Sequence, residues 1–332
     1  MNVAIGVVTF NGADHLVRCL DSLLAQTCAP FEIAIVDNAS TDGTRRIIQD
    51  FSAARSNGGP SVWYHFNPSN RGFTSAANQI LRRATHADNQ AEIVILINQD
   101  AYLDSECVAA LVREFGREPT LAAAGPKILY PDSGAIQFAG GEIREPRGVG
   151  LHTGHHETDE GQYDDPKETG YVTGAVMALR VDSLEEVGLF DEVFSPGYYE
   201  DVDLCVRLRR HDWNVRYIPS ARAWHYESSV FSDRGLRLRL AHRNRLIFLF
   251  PRLIDPKFCQ QFLRAEIEAI ENTLVPDELR ALAEASLELL ARLRHFTSAR
   301  LTGPSGSAHS RLAGLLKRVR HEAIDRLIGI SR

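Results

Sequence analysis

The sequence predicts an α/β domain with a mostly parallel central sheet and helices on both faces, followed by a C-terminal helical extension. Three observations predict it. Over the first 130 residues, short apolar runs alternate with segments whose leucines and isoleucines recur at helical spacing, the pattern of repeated strand-helix-strand units. Residues 93–97 are apolar without interruption, as a strand buried on both faces requires. From residue 233 onward the pattern is helical and ends in SGSAHSRLAGLLKRVRHEAIDRLIGISR, basic on one side and rich in Leu and Ile on the other.

Taken in order, residues 3–9 read as the first strand, and Leu16, Leu20, Leu23 and Leu24 mark a helix behind it. Residues 31–36 form the second strand. The polar loop DNASTDGT then offers Thr41 or Asp42 as the cap of a helix through Ile47, Ile48 and Phe51. Residues 62–66 are a third strand, 73–84 a helix behind the loop NPSNRG, and 92–97 the fourth and central strand. After Gly125 the pattern changes to Gly- and Pro-rich turns around short strands at 136–138 and 172–178. Ser183 and Glu186 resemble a capping box for a helix starting at Asp182, and EDVDLCVRLRRH carries another helix with Val202, Leu208 and either Leu204 or Cys205 inward. Residues 145–170, rich in Gly, His, Asp and Glu, look like an exposed mobile loop.

Charge divides the chain. Residues 1–228 hold 19 Lys and Arg against 32 Asp and Glu, a balance of −13, while residues 229–332 hold 18 against 11, a balance of +7. The expected organisation is therefore an acidic α/β domain over 1–228 and a basic, amphipathic helical region over 229–332. An acidic first domain argues against a nucleic-acid partner. The basic helices suit either a peripheral contact with an anionic membrane surface or a second subunit. Five cysteines, with no CxxC spacing, point to reduced thiols in a cytoplasmic protein. No signal peptide is visible at the N-terminus, and the apolar runs are far short of the roughly 20 residues a bilayer span needs.

Function concentrates where the strands end. In open α/β sheets ligands bind beyond the carboxyl ends of the strands, and here those ends carry Thr9 and Asn11, Asp37 and Asn38, Asn70 and Arg71, and Asn98 and Asp100. Each alone could be turn chemistry. Together they read as a nucleotide site, where an aspartate can accept from a ribose hydroxyl or an imide N–H and an arginine can meet a carbonyl or phosphate. TFNGADHL lacks the GxGxxG of a dinucleotide fold, and no GxxxxGK[ST] phosphate loop occurs.

The ordered series VVTFNGADHLVRCLDSLLAQT, FEIAIVDNASTDGT, NRGFTSAANQI, VILINQDAYL, TGAVMALR and GLFDEVFSPGYYEDVDLCVRLRRHDWNVRYIPSARAWH resembles glycosyltransferase family 2. It is particularly similar to bacterial rhamnosyltransferase-like members that make cell-surface polysaccharide. The resemblance runs from residue 3 to about residue 250. It implies a GT-A fold, a nucleotide-diphosphate sugar donor (dTDP- or UDP-linked), a divalent metal (Mg²⁺ or Mn²⁺), a saccharide or lipid-linked saccharide acceptor, and inversion at the anomeric carbon. L-rhamnose from dTDP-rhamnose is the expected donor sugar. A UDP-sugar-dependent galactosyl-, galactofuranosyl- or N-acetylglucosaminyltransferase is the alternative, and a catalytically silent nucleotide-sugar-binding protein is a third reading.

The resemblance also distributes roles. Family members often carry Asp-x-Asp after the central strand; here Asn98 takes the first position, so Asp100 is the expected metal ligand and Asn98 a nucleotide contact. His225 in ARAWH matches a position that supplies a metal-binding histidine, and Asp201 in Glu200-Asp201-Val202-Asp203 matches the general base. Direct displacement by an acceptor hydroxyl needs such a base and no protein nucleophile. Thr173-Gly174-Ala175 is expected to line the acceptor side, and His152, His155 and His156 to lie in a flexible polar loop near its entrance.

Overall fold

The computed structural model describes residues 1–55, 58–227, 233–300 and 306–330. The expected boundary at 228–229 falls outside them. Two compact units form: Met1–Glu142 with Leu151–Pro196 and Glu200–Ser228, and Ile143–Gly150 with Gly197–Tyr199 and Ser229–Arg332. Among the described residues no helix is long and apolar enough to cross a membrane.

The first unit is an α/β sandwich. The strands in chain order are β1 (Val3–Thr9), β2 (Glu32–Asp37), β3 (Ser61–Phe66), β4 (Ile93–Asn98), β5 (Ala101–Leu103), β6 (Leu121–Leu129), β7 (Ile136–Phe138), β8 (Gly141–Arg144), β9 (Val149–His152), β10 (Lys167–Glu168), β11 (Val176–Arg180) and β12 (Asn214–His225), of which β8 and β9 are divided between the units. The main sheet runs β10-β12-β6-β11-β4-β1-β2-β3, with β5 on β12 and β7 on β6. Strands β1, β2, β3 and β4 are mutually parallel, and their register sets Thr9 opposite Asp37 and Val8 opposite Asn98. That alignment delivers the polar strand ends to one edge. Helices α1 (Ala13–Leu24), α2 (Thr44–Ala53), α3 (Gly72–Ala84) and α4 (Cys107–Arg117) connect these strands; α5 (Val181–Val187) and α6 (Glu200–Arg210) follow. The apolar stripe of α1 is buried at Leu16, Leu20 and Leu23, each worth about 1.5–3 kcal/mol of transfer free energy.

Several expectations need correction. Strand β6 crosses the point where the sequence pattern changes, and Gly125 lies inside it because a Cβ there would stand 2.3 Å from Val172 Cγ1. The strand expected at 172–178 begins only at Val176. No capping box starts α5: its cap is Arg180, and the Ser183 hydroxyl donates back to the Arg180 carbonyl at 2.7 Å. The cap of α2 is Gly43 rather than Thr41 or Asp42; Asp42 accepts from Thr44 N at 3.0 Å and also from Ala13 N at 3.1 Å, so one carboxylate serves the starts of two helices.

The supposed mobile loop is tied down over residues 151–165. Ala139 N donates to Thr153 O and Ile136 N to Glu157 O, at 3.0 and 2.8 Å. Lys127, fully buried, holds Asp159 at 2.7 Å and also pairs with Asp164. A buried ammonium needs such partners, and this explains the acidic run that read as a solvated loop.

The second unit is helical: α7 (Arg234–Leu253), α8 (Pro256–Asn272), α9 (Pro276–Ala291), α10 (Leu293–Arg300) and α11 (Gly306–Ile330). Asp233 caps α7 and Asp255 caps α8, the latter with proline in the first turn. The apolar side of α11, at Leu312, Leu315, Leu316, Val319 and Ala323, is buried, and α11 packs on α9. These apolar residues, on the stripe that suited either a membrane surface or a second subunit, lie in this core. At the crossing of α7 and α8, Glu266 accepts from Arg245 and from Arg147 Nε, the latter at 2.8 Å.

Candidate active site

The polar strand ends form a layered network. Gln99 locks β4 to β1: its Oε1 accepts from Thr9 Oγ1 at 2.6 Å and Phe10 N at 2.8 Å, and its Nε2 donates to Phe10 O at 3.1 Å. Gly12 is required beside it, since a Cβ would sit 2.2 Å from Gln99 Oε1. Thr9 is therefore a buried tie of the strand ends. Asn11, at φ 47°, uses its Oδ1 to accept from Thr41 N at 2.8 Å, a left-handed turn that asparagine tolerates.

Asp37 is fully buried, accepting from Ser40 N at 3.1 Å and paired with Arg45 Nε at 3.0 Å. Asn38, also buried, donates to Gly72 O at 3.0 Å and accepts from Asn67 Nδ2 at 2.9 Å, while Asn70 Oδ1 accepts from Gly72 N at 2.8 Å. These bonds fix the entry of α3. Gly72, at φ 78°, lies so close to Pro196 that a Cβ would come within 2.5 Å of its Cα. Arg71, one residue earlier, is exposed.

Beyond β4 the structure brings Asp100 and His225 together. His225 ends β12, opposite Ala101 in β5, and its Nε2 lies 3.2 Å from Asp100 Oδ1 and 3.4 Å from Asn98 Nδ2. Its Nδ1 lies 2.8 Å from Gln137 Oε1. Among the described residues no group of three or more His, Cys, Asp or Glu side chains is arranged to hold a metal. The donor set nevertheless fits a divalent ion: one hard carboxylate and one imidazole meet at a strand end, leaving coordination positions for a diphosphate and water.

Asp201, in the first turn of α6, accepts from Gly174 N at 2.9 Å and Val202 N at 2.8 Å. Burial pushes its carboxyl above the usual range against these hydrogen bonds. Its neighbour Glu200 is raised well above its ordinary value, first by desolvation and then by the charge of Asp201, and meets the Thr74 hydroxyl at 3.4 Å. Ala175 O accepts from Asn98 N at 2.9 Å. The segment 173–175 thus links the Asp201 carboxylate to the end of β4. Asp203 stands apart from this chemistry, bridged to Arg207 at 2.7 Å.

Two residues that motif reading passed over matter here, Gln99 and Gln137. Gln137 had a signal, a lone amide between buried Ile136 and Phe138. Of the histidine trio, His152 is half-buried, with Nδ1 donating to Gln137 O at 3.1 Å; burial and then His155 push it down to about 4. Exposed His155 meets the Tyr130 hydroxyl at 2.9 Å.

The chain is similar to known proteins. The family model for glycosyl transferase family 2 covers residues 4–188. The chain belongs to that family. A relative from Mycobacterium tuberculosis, N-acetylglucosaminyl-diphospho-decaprenol L-rhamnosyltransferase, is 29% identical over 266 residues, covering 74% of this chain and 83% of the relative. Among solved structures, the mannosyltransferase PcManGT of Pyrobaculum calidifontis, in complex with GDP-Man and Mn²⁺, superposes with a TM-score of 0.54 at 19% identity, over 98% of this chain and 87% of that one. GalNAc-T7 with UDP, GalNAc and Mn²⁺ gives a TM-score of 0.61 at 15% identity, over 92% of this chain but 59% of that one. The fold of this family 2 glycosyltransferase is GT-A.

Proposed function

We propose that this glycosyltransferase is an inverting, metal-dependent enzyme that moves L-rhamnose from dTDP-rhamnose to a saccharide or lipid-linked saccharide acceptor in cell-surface polysaccharide synthesis. The observation that carries the chemistry is the meeting of Asp100 and His225 at the end of β4, joined through residues 173–175 to Asp201. The rhamnosyl reading is supported by the activity in the name of the mycobacterial relative. Asp100 and His225 are assigned as ligands of Mg²⁺ or Mn²⁺, which when bound would neutralise charge developing on the departing diphosphate.

The remaining roles belong to the chain. Asp37, Asn11, Asn70, Arg71 and Asn98 are assigned to the nucleotide-sugar side. Thr9 and Asn38 act on it indirectly, through the ties that hold the strand ends and α3. Asp201 takes the proton from the acceptor hydroxyl as the new C–O bond forms at the anomeric carbon and the bond to the diphosphate oxygen breaks, which inverts that centre. We assign residues 1–228 to this catalytic part and 229–332 to a helical part, acting on the cytoplasmic side of the membrane.

A UDP-sugar donor is the second reading, favoured by the UDP bound to GalNAc-T7. Donor turnover separates the two. Purified protein with Mn²⁺ or Mg²⁺ and a polyprenyl-diphosphate-linked amino sugar should release dTDP from dTDP-rhamnose faster than UDP from any UDP-hexose; preference for a UDP-hexose overturns the rhamnosyl assignment, and release from neither overturns both.

A further inference from the structure

A buried amide beside the Asp100–His225 pair has a role the motifs do not assign. Gln137 is the middle residue of β7, 3% exposed, between fully buried Ile136 and Phe138. A glutamine in such a place must spend every polar atom on a partner. Its Nε2 donates to the His225 carbonyl at 3.4 Å. An amide whose nitrogen donates to that carbonyl turns its Oε1, which only accepts, to the other side.

What Oε1 meets is His225 Nδ1, at 2.8 Å. A carbonyl oxygen there requires Nδ1 to carry the proton, and in a neutral imidazole that leaves a lone pair on Nε2. The Nε2 atom faces Asp100 Oδ1 at 3.2 Å, so two lone-pair-bearing atoms converge, an arrangement that a shared cation satisfies. Asn98 Nδ2, at 3.4 Å from Nε2, is a donor on the same side. The backbone of Gln137 is held as well, through its carbonyl and His152 Nδ1.

We propose that Gln137 is a positioning residue that sets the tautomer and ring orientation of His225, so that Nε2 is presented with Asp100 to a divalent cation. The inference rests on the metal reading proposed above. Outer partners of this kind raise the basicity of a ligating histidine, and losing one weakens metal binding by about 10–100-fold.

Two measurements test it. In metal-free protein with nitrogen-labelled histidines, at about pH 8 where an ordinary imidazole is neutral, two-bond proton–nitrogen correlations report which ring nitrogen is protonated. The His225 signals are assigned by their loss in His225→Ala. Wild type should show the proton on Nδ1, and Gln137→Met should move it wholly or partly to Nε2; an Nε2–H tautomer in wild type overturns the proposal without any variant having to fold. Second, Mn²⁺ affinity is measured in the presence of dTDP by the electron paramagnetic resonance of unbound Mn²⁺. Gln137→Met should weaken it by about 10–100-fold, whereas Gln137→Glu, which still accepts from Nδ1, should stay close to wild type. Unchanged Mn²⁺ affinity in Gln137→Met overturns the proposal. Equal Mn²⁺ binding by wild type and Asp100→Ala overturns the metal reading instead, and the tautomer measurement is independent of it.

Discussion

Two buried carboxyl clusters, one in each unit, live in opposite chemical company. In the helical unit, Glu266 is fully buried between the guanidinium groups of Arg245 and Arg147, and despite desolvation these cations pull its carboxyl down to about 2. In the α/β unit, Glu200 and Asp201 lie side by side in a helix's first turn, met by a hydroxyl and by backbone amides, and burial raises both. The first arrangement keeps a charge permanently in place. The second keeps a carboxyl in which gaining and losing a proton are closer in free energy, as proton transfer demands. The difference separates a carboxylate that holds a fold from one suited to take a proton.

The sharpest break of that contrast is at Asp201. Asp201→Asn keeps the shape and an acceptor for one of the two amides while removing the base, so kcat should fall by about 10²- to 10⁴-fold with donor affinity close to wild type, measured by steady-state turnover and by calorimetric titration with dTDP. Turnover near wild type would put Asp201 in the same structural class as Glu266. In wild type the raised carboxyl predicts that the acidic limb of the kcat profile lies above the pH at which an exposed aspartate titrates, about 3.9. A limb at or below that value contradicts the role.

Glu266 should respond in stability. Glu266→Gln leaves two arginines around a neutral amide, and breaking a buried pair in this way costs about 3–5 kcal/mol. Because the folded-state pKa is depressed, the stabilisation is present above the unfolded value of about 4.3 and is lost as pH falls toward about 2. Urea unfolding of wild type and variant should therefore differ most near neutral pH and converge in acid. A pH-independent difference would mean that packing, not the ion cluster, carries the effect.

The contrast was partly legible in the sequence. Parallel strands, the polar strand ends and the helix carrying Asp201 follow from periodicity, because an apolar run and an i, i+4 stripe are local signals. The family motifs singled out Asp100, His225 and Asp201. What escaped depends on long-range pairing. Arg147 and Glu266 are 119 residues apart, and nothing local links them. Gln137 and His225 are 88 apart, on strands that are not neighbours in the chain. Lys127 lies 32 and 37 residues from its partners Asp159 and Asp164, a pairing with no local signal either. The ties that Thr9 and Asn38 make were not legible, since strand-end polarity looks the same whether it faces a ligand or a neighbouring loop. The basic amphipathic face of α11 was visible, but periodicity does not say whether an apolar stripe meets a bilayer or another helix.

The smallest expected effect has the opposite sign. Glu200 is 5% exposed and its carboxyl is raised by burial and by Asp201. The folded protein therefore binds that proton more tightly than the unfolded chain does. Its contribution is fully present below the unfolded value of about 4.3 and declines as pH rises through the folded one. At neutral pH the ionised pair is a net cost, and Glu200→Gln, which resembles the protonated acid in shape and still accepts from Thr74, should stabilise the protein there. The gain should vanish in acid, where wild type is itself protonated. Urea unfolding at acidic and neutral pH reads both ends, and lower stability of Glu200→Gln at neutral pH would show that Glu200, like Glu266, is held by attraction. If the gain appears while Asp201→Asn abolishes turnover, the two adjacent carboxyls divide the work: Glu200 raises the proton affinity of the pair, and Asp201 uses it.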